Sequence, residues 1–282
     1  MKVSLIVPTR NRPESCARLV QALFSESTVD RLASRLQVLL VDDGSDPHLR
    51  QRLVAAVSQS PGDVVHLVSR PVPGGPSAAR NTGIARADGD IVAFLDDDCI
   101  PADNFLEETV RLHRTHPEAL LISGHLRSLR DDSISRFWRH YYSHAFTGGE
   151  GELYRIHRIS SGHFSIKRSL LERFNPLFDE SLPSREDYDL YLRLDRAGIP
   201  VYKADSIRAT IECRRTLGDL IRQRAWYGRG EERLRAKYGA ALIERAQRGL
   251  YPRVPLSLAH IHVALYLDRR FRSLRDRVLR HG

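Results

Sequence analysis

Four short apolar runs constrain this chain more than any other feature: residues 3–7, 37–41, 64–68 and 90–95. Each is dominated by Val, Ile and Leu without strict polar alternation. Strands of that kind are buried on both faces, which is the signature of a parallel sheet covered by helices. The segments between them carry helical spacing. Leu19, Val20, Leu23 and Phe24 fall on one face of a helix expected over 14–34, and further helices are expected around 48–59 and 77–86. The expected class is therefore α/β. In such sheets ligands lie beyond the carboxyl ends of the strands. That rule selects three polar groups: Thr9–Arg12, Asp42–Asp46 and Asp96–Asp98.

Two of these groups are acidic. Neither a GxGxxG after the first strand nor a GxxxxGK[ST] occurs, so both standard phosphate-cradling loops are missing and a dinucleotide dehydrogenase or P-loop NTPase is disfavoured. Asp96, Asp97 and Asp98 would repel one another at a buried strand end unless a cation neutralises them. Hard carboxylate oxygens select Mg²⁺ or Mn²⁺, and Mg²⁺ commonly takes one or two carboxylates together with substrate phosphates. A plain solvated acidic turn is the competing reading.

The motifs in 4–12, 41–45, 75–83 and 87–98, with 178–198 further on, resemble the family 2 glycosyltransferases in order and spacing. The resemblance covers about residues 3–210. It implies the GT-A fold, with a Rossmann-like nucleotide-binding half and a mostly parallel central sheet. It also implies inverting transfer from a nucleotide-diphosphate sugar, a UDP-sugar above all, with Mn²⁺ or Mg²⁺. Carried onto this sequence, it assigns the nucleobase and ribose to Pro8, Thr9, Asp42 and Asp43, with Arg80 and Asp97 also near the donor. Asp96 would face the ribose or sugar, Asp98 would hold the metal, and Asp187 would be the general base. The family's aromatic after Pro-Thr is replaced by Arg10, whose guanidinium plane can also stack on a base. Where relatives carry a metal-binding histidine, this chain reads 209–213, and Glu212 is either a substitute oxygen ligand or an ordinary strand residue.

The chemistry is coherent on its own terms. Sugar transfer needs charge stabilisation at the leaving diphosphate and a base for the acceptor hydroxyl. Asp98 and Asp187 can divide those tasks. Glu186 is expected as a first-turn or capping acid of a helix over 188–197, and Asp187 has the same structural alternative. Glu186 and His163 are also candidates for a contact with acceptor or donor sugar, as are Trp226 and Arg229 beyond the matched motifs. The aromatics at 137, 138, 141 and 142 read as one helix face or as an acceptor platform, with the glycine-rich 147–151 then expected as a mobile loop over the donor.

Charge separates the chain into two parts. Residues 1–210 hold 27 basic and 28 acidic side chains, a net of −1, while 211–282 hold 17 and 7, a net of +10. The expected organisation is a catalytic domain over 1–210, with a nucleotide-sugar half at 1–100 and an acceptor half at 101–210, followed by a basic helical extension over 211–282. Within the extension, 256–279 has a basic amphipathic pattern suited to an anionic membrane surface, to docking on the catalytic domain or to pairing in a homodimer. Nucleic acid is not expected as a partner, because the excess charge is local and no nucleic-acid motif accompanies it. No apolar run reaches the ~18–20 residues of a membrane-spanning helix, and Cys16, Cys99 and Cys213 form no metal or disulfide pattern. A cytoplasmic protein, peripheral at most, is expected. The acceptor would be a glycan or a lipid-linked acceptor; the alternative is a catalytically silent sugar-nucleotide-binding or membrane-docking module.

Overall fold

The computed structural model describes residues 1–24, 35–58, 60, 64–146, 149–160 and 162–247, with backbone alone for 141–146 and 244–247. They divide into two compact units, 1–127 with 148–211 and 128–147 with 212–282. The boundary after Ile211 lies next to the break in charge at 210. The segment 128–147, expected within the catalytic domain, instead clusters with the basic extension.

In the first unit the four apolar runs become β1 (Val3–Thr9), β2 (Leu36–Asp43), β3 (Val65–Arg70) and β4 (Ile91–Leu95). All are paired in parallel in the order β3-β2-β1-β4. Ile6, Leu40, Ile91 and Phe94 are wholly buried, and each such side chain contributes roughly 1.5–3 kcal/mol relative to exposure. Their connections are α1 (Pro13–Leu23), α2 (Pro47–Ser58) and α3 (Gly75–Ile84). Proline at N1 or N2 of α1 and α3 suits a helix start, where its missing N–H would be unpaired anyway. Residues 25–34 of the helix expected over 14–34 lie outside the described residues.

Beyond β4 the sheet changes direction. β5 (Cys99–Pro101), α4 (Phe105–Thr115) and β6 (Leu121–Ser128) follow it. The second unit then contributes α5 (Ser133–Phe146), before β7 (Tyr154–Ile156), β8 (His163–Lys167) and α6 (Arg168–Arg173). The first unit closes with α7 (Glu186–Arg196) and β9 (Val201–Ile211). Among the described residues nine strands form one sheet, β3-β2-β1-β4-β8-β6-β9-β5, with β7 also on β9. The pairs β4–β8, β6–β8, β5–β9 and β7–β9 are antiparallel. The parallel half is thus the one encoded by residues 1–100, and the second half is a mixed extension of it. Phe94 stacks on Phe164 at 4.6 Å and meets Phe178 edge-on at 5.4 Å, which locks the two halves through β4 and β8.

The second unit is helical. Ile134 and Phe137 of α5 pack with Leu217 and Leu220 of α8 (Leu217–Tyr238), which is followed by α9 (Ala240–Gln247). Thr216 caps α8 by accepting the Asp219 N–H at 3.1 Å. Phe137 is therefore a core residue of this unit. The amphipathic pattern at 256–279 and residues 147 and 148 of the expected glycine loop fall outside the described residues.

Candidate active site

The strand ends after β1, β2 and β4 bring the three polar groups together as the topology requires. The carboxylates of the Asp96–Asp98 triplet diverge: Asp96 is met by Arg80, while Asp97 and Asp98 are both met by Arg12. Asp97 turns inward: it is 7% exposed, accepts the Thr9 hydroxyl at 2.8 Å and pairs with Arg12 Nη1 at 2.9 Å. Burial pushes its pKa up, and Arg12 and Thr9 recover only part of that shift. The same guanidinium nitrogen reaches Asp98 Oδ2 at 3.5 Å. Burial acts to lower the Arg12 pKa, but Asp97 and Asp98 outweigh it and hold it above its usual value.

Asp96 points the other way, with Arg80 Nη2 at 2.6 Å. Arg80 is 2% exposed, and its Nη1 donates to Glu186 Oε1 at 2.7 Å. One buried guanidinium thus joins the end of β4 to the first turn of α7, and Arg80 reaches Glu186 across 106 residues of sequence. Backbone packing keeps the bridge close. The Asp96 N–H donates to the Gly162 carbonyl at 3.2 Å, and a Cβ at Gly162 would sit 2.6 Å from Asp96 Oδ2. Burial raises the Glu186 pKa more than Arg80 lowers it.

Helix α7 starts two residues before the expected 188, so Glu186 and Asp187 both lie in its first turn. The cap is Arg185, in the left-handed region at φ 68° with no capping side chain. Glu186 is thus the expected first-turn acid rather than the cap, and its side chain is a buried partner of Arg80. Asp187 is half-buried and accepts the N–H of Tyr188 at 2.8 Å. Carboxylates also complement the positive end of the helix dipole.

At the end of β2 the two aspartates have different surroundings. Asp43 accepts Arg70 Nε at 2.8 Å, Gly74 N–H at 2.9 Å and Gly75 N–H at 2.7 Å. It thereby fixes the turn into α3, where Gly75 has φ +83°. Asp42 accepts the Ser45 N–H at 3.0 Å through Oδ1, while its buried Oδ2 has no hydrogen-bond partner and lies 3.8 Å from Arg50 Nε. Pro8 is half-buried, and Arg10 is exposed beside it.

His163 departs from the expected sugar contact. It is 1% exposed, lies 5.3 Å from Phe105 in a stacked arrangement and presses on Gly124, where an added Cβ would come within 2.1 Å of the ring. Both ring nitrogens lack a hydrogen-bond partner, and burial depresses the pKa to about 3. It is a neutral core residue. Glu212 lies just past β9, in the second unit rather than the strand, and accepts Arg215 Nε at 3.1 Å. Trp226 and Arg229 lie on α8 of the same unit, with Trp226 5.4 Å from the Tyr227 ring and Arg229 exposed.

Among the described residues no three His, Cys, Asp or Glu side chains converge as a metal site. The divergence of the triplet explains this locally, since Asp96 and Asp97 are directed to arginines. Asp98, with a side chain 15% exposed and hard oxygen donors, has the chemistry to hold a divalent ion that completes its shell with ligand phosphates and water. Two residues that sequence reasoning left without a role, Arg12 and Arg70, prove central here. Arg12 lay inside a matched motif, but nothing at that position signalled a partner 85 residues away.

The sequence model of Glycosyl transferase family 2 matches residues 4–174. The chain is 30% identical over 231 residues to the pre-mycofactocin glycosyltransferase of Mycobacterium tuberculosis, covering 80% of this chain and 46% of that protein. It is 33% identical over 135 residues to the undecaprenyl-phosphate 4-deoxy-4-formamido-L-arabinose transferase of Serratia proteamaculans, covering 48% of this chain and 40% of the other. The chain thus spans less than half the length of these curated relatives. Its fold is similar to that of GalNAc-T7 solved with UDP, GalNAc and Mn²⁺ (TM-score 0.61, 16% identity, 76% of this chain and 44% of that one). It is also similar to S. aureus TarS in complex with UDP-GlcNAc (TM-score 0.56, 18% identity, 77% and 60%). With 4–174 containing the parallel half of the sheet, the acidic triplet and both of its arginines, the chain belongs to Glycosyl transferase family 2.

Proposed function

We propose that this protein is an inverting, metal-dependent glycosyltransferase that moves a sugar from a UDP-sugar to a hydroxyl of a glycan or lipid-linked acceptor. The observation that carries the reading is the Arg80 bridge, which ties the Asp96–Asp98 strand end to the Glu186–Asp187 turn at 2.6 and 2.7 Å. A donor-binding triplet and a candidate base, distant in sequence, become one rigid constellation.

Asp98 is the residue to hold Mn²⁺ or Mg²⁺, which when bound supplies Lewis-acid stabilisation to the departing diphosphate. The work of the chain is positional. The strand end of Asp96 orients the donor, and Pro8, Thr9, Arg10, Asp42 and Asp43 line the nucleoside end. With its side chain held by Arg80, Glu186 fixes the turn that presents Asp187. Asp187 accepts the acceptor hydroxyl proton as the oxygen attacks, which requires an approach of about 2.6–3.2 Å. Attack on the face opposite the diphosphate inverts the sugar carbon. Coupling these two events in one fixed geometry removes much of the entropic barrier.

Three supports come from relatives: solved neighbours hold UDP or UDP-GlcNAc, one is solved with Mn²⁺, and a curated relative is named for an undecaprenyl-phosphate substrate. A lipid-linked acceptor would bring the protein to a membrane surface. Among the described residues no helix is long and apolar enough to cross a membrane, so the basic extension is the proposed point of peripheral contact or of homodimer pairing.

The test is transfer from a panel of UDP-sugars to lipid-linked and glycan acceptors with Mn²⁺, comparing wild type with Asp98→Ala and Asp187→Asn. The expectation is turnover in wild type and a loss of at least ~10²-fold in each variant. Turnover that survives both substitutions would refute the assignment. Nucleotide binding without turnover in wild type would favour the silent binding module.

A further inference from the structure

Arg12 meets two triplet members, Asp97 and Asp98, while Arg80 meets Asp96. Its contact with Asp97 is short and directed, at 2.9 Å onto a carboxylate 8% exposed at its side chain. The contact of the same nitrogen with Asp98 is longer, at 3.5 Å onto a more open carboxylate. Asp97 is also held by the Thr9 hydroxyl at 2.8 Å, and Thr9 in turn accepts the Cys16 thiol at 3.2 Å. The anchor is therefore buried and doubly bonded, while the reach to Asp98 is the loose end of the interaction.

We propose that Arg12 is a positioning residue that acts as the resting counter-ion of Asp98, keeping free divalent cations out of the site until a diphosphate arrives. This rests on the reading of Asp98 as the metal-holding carboxylate. A guanidinium fixed beside Asp98 lowers the negative potential there and repels a second cation. Its anchor on Asp97 lets it stay in place when Asp98 turns away, because the Asp97 and Thr9 bonds do not depend on Asp98. A diphosphate supplies the negative charge and the oxygens that Asp98 alone lacks. Metal and nucleotide then bind as a pair, and metal affinity becomes contingent on the donor.

The experiment measures Mn²⁺ binding to the purified full chain by loss of the free-Mn²⁺ EPR signal, with and without UDP, for wild type, Arg12→Gln and Arg12→Lys. Thermal melts verify that each variant is folded. Mn²⁺ alone should bind Arg12→Gln about tenfold or more tightly than wild type, the scale expected for removing one nearby positive charge. With UDP present the two should agree within about threefold. Arg12→Lys retains the charge and should bind Mn²⁺ alone no more than about threefold more tightly than wild type.

Unchanged or weaker binding of Mn²⁺ alone by Arg12→Gln overturns the proposal. Tenfold tightening in Arg12→Lys overturns it too, so the idea stays exposed even if Arg12→Gln does not fold. Failure of wild type to bind Mn²⁺ with UDP counts against the metal-dependent transferase instead. The nucleotide-free comparison of variants is read separately from that result.

Discussion

The two units handle charge in opposite ways. In the first, Arg12, Arg70 and Arg80 run inward to carboxylates: Arg70 to Asp43, Arg80 to Asp96 and Glu186, and Arg12 to Asp97 and Asp98. In the second, Arg215 and Arg222 keep side chains 74% and 75% exposed, paired to acids three residues away on their own segment. A buried pair fixes geometry, because breaking it strands a charge in a poor solvent. An exposed pair fixes little and leaves its charge available to a partner. The near-neutral total of the first unit thus conceals a dense internal network, whereas Arg215 and Arg222 of the second keep their charge at the surface.

The sharpest way to break that contrast is to remove Arg80. Arg80→Ala leaves Asp96 and the fully buried Glu186 without their shared cation, and urea unfolding should show a loss of about 3–5 kcal/mol. Arg80→Ala with Glu186→Gln should recover part of it, because the amide carries no charge to strand. A loss under about 1 kcal/mol in the single variant would mean that the bridge organises nothing.

Next in size is the clamp at the end of β2. Asp43→Ala deprives two backbone N–H groups and Arg70 of their acceptor, and a loss of about 2–3 kcal/mol is expected. Hydrogen exchange should localise the damage to the Gly74–Gly75 turn and the start of α3. Protection unchanged at that turn would contradict the assignment of Asp43 as its structural anchor.

The third prediction concerns histidines that the fold holds neutral. Burial lowers the pKa of His113 to about 4 and that of His163 to about 3, both below the unfolded value near 6.5. A depressed histidine pKa means the unfolded chain binds protons first as pH falls. Their contribution to stability is therefore complete above about pH 6.5 and is lost progressively towards about pH 4 and below. His163→Leu removes two unpartnered buried nitrogens and should raise stability by about 1 kcal/mol at pH 7, with a shallower decline between pH 6 and 4. An acid profile identical to wild type would exclude His163 from that decline.

How legible these features were in the sequence follows from their range. The parallel strands were plain, because a buried strand writes its environment as a continuous apolar run. The polar groups at their carboxyl ends then followed from topology. Family motifs carried Asp96, Asp98 and Asp187 into view. Their neutralisation was not legible: Arg12 meets Asp97 across 85 residues and Arg80 meets Glu186 across 106, and local pattern holds no information about such pairing. The repulsion within the triplet pointed to a metal, and the fold adds two guanidinium groups of its own. His163 misled for a related reason, since an isolated histidine among small polar residues gave no sign of the Phe105 ring and Gly124 that enclose it. The association of 128–147 with the tail was equally hidden, because helix α5 carries no charge signature that separates it from its neighbours.

The smallest effect on stability belongs to the exposed arginines, and there the contrast between the units can be sharpened rather than broken. Arg222→Ala and Arg229→Ala remove surface charge without opening a core, so each should change unfolding free energy by no more than about 0.5 kcal/mol. Their effect should fall instead on association. If the extension meets an anionic membrane, co-sedimentation of the full chain with vesicles rich in phosphatidylglycerol should weaken in the double variant and fall with added salt, while neutral phosphatidylcholine vesicles bind neither form. Concentration-dependent dimerisation that the same substitutions abolish would identify a second subunit as the partner. Equal vesicle binding by wild type and the double variant, with no change in assembly, would show that these two positions are merely solvated and that the working charge of the extension lies elsewhere in 211–282.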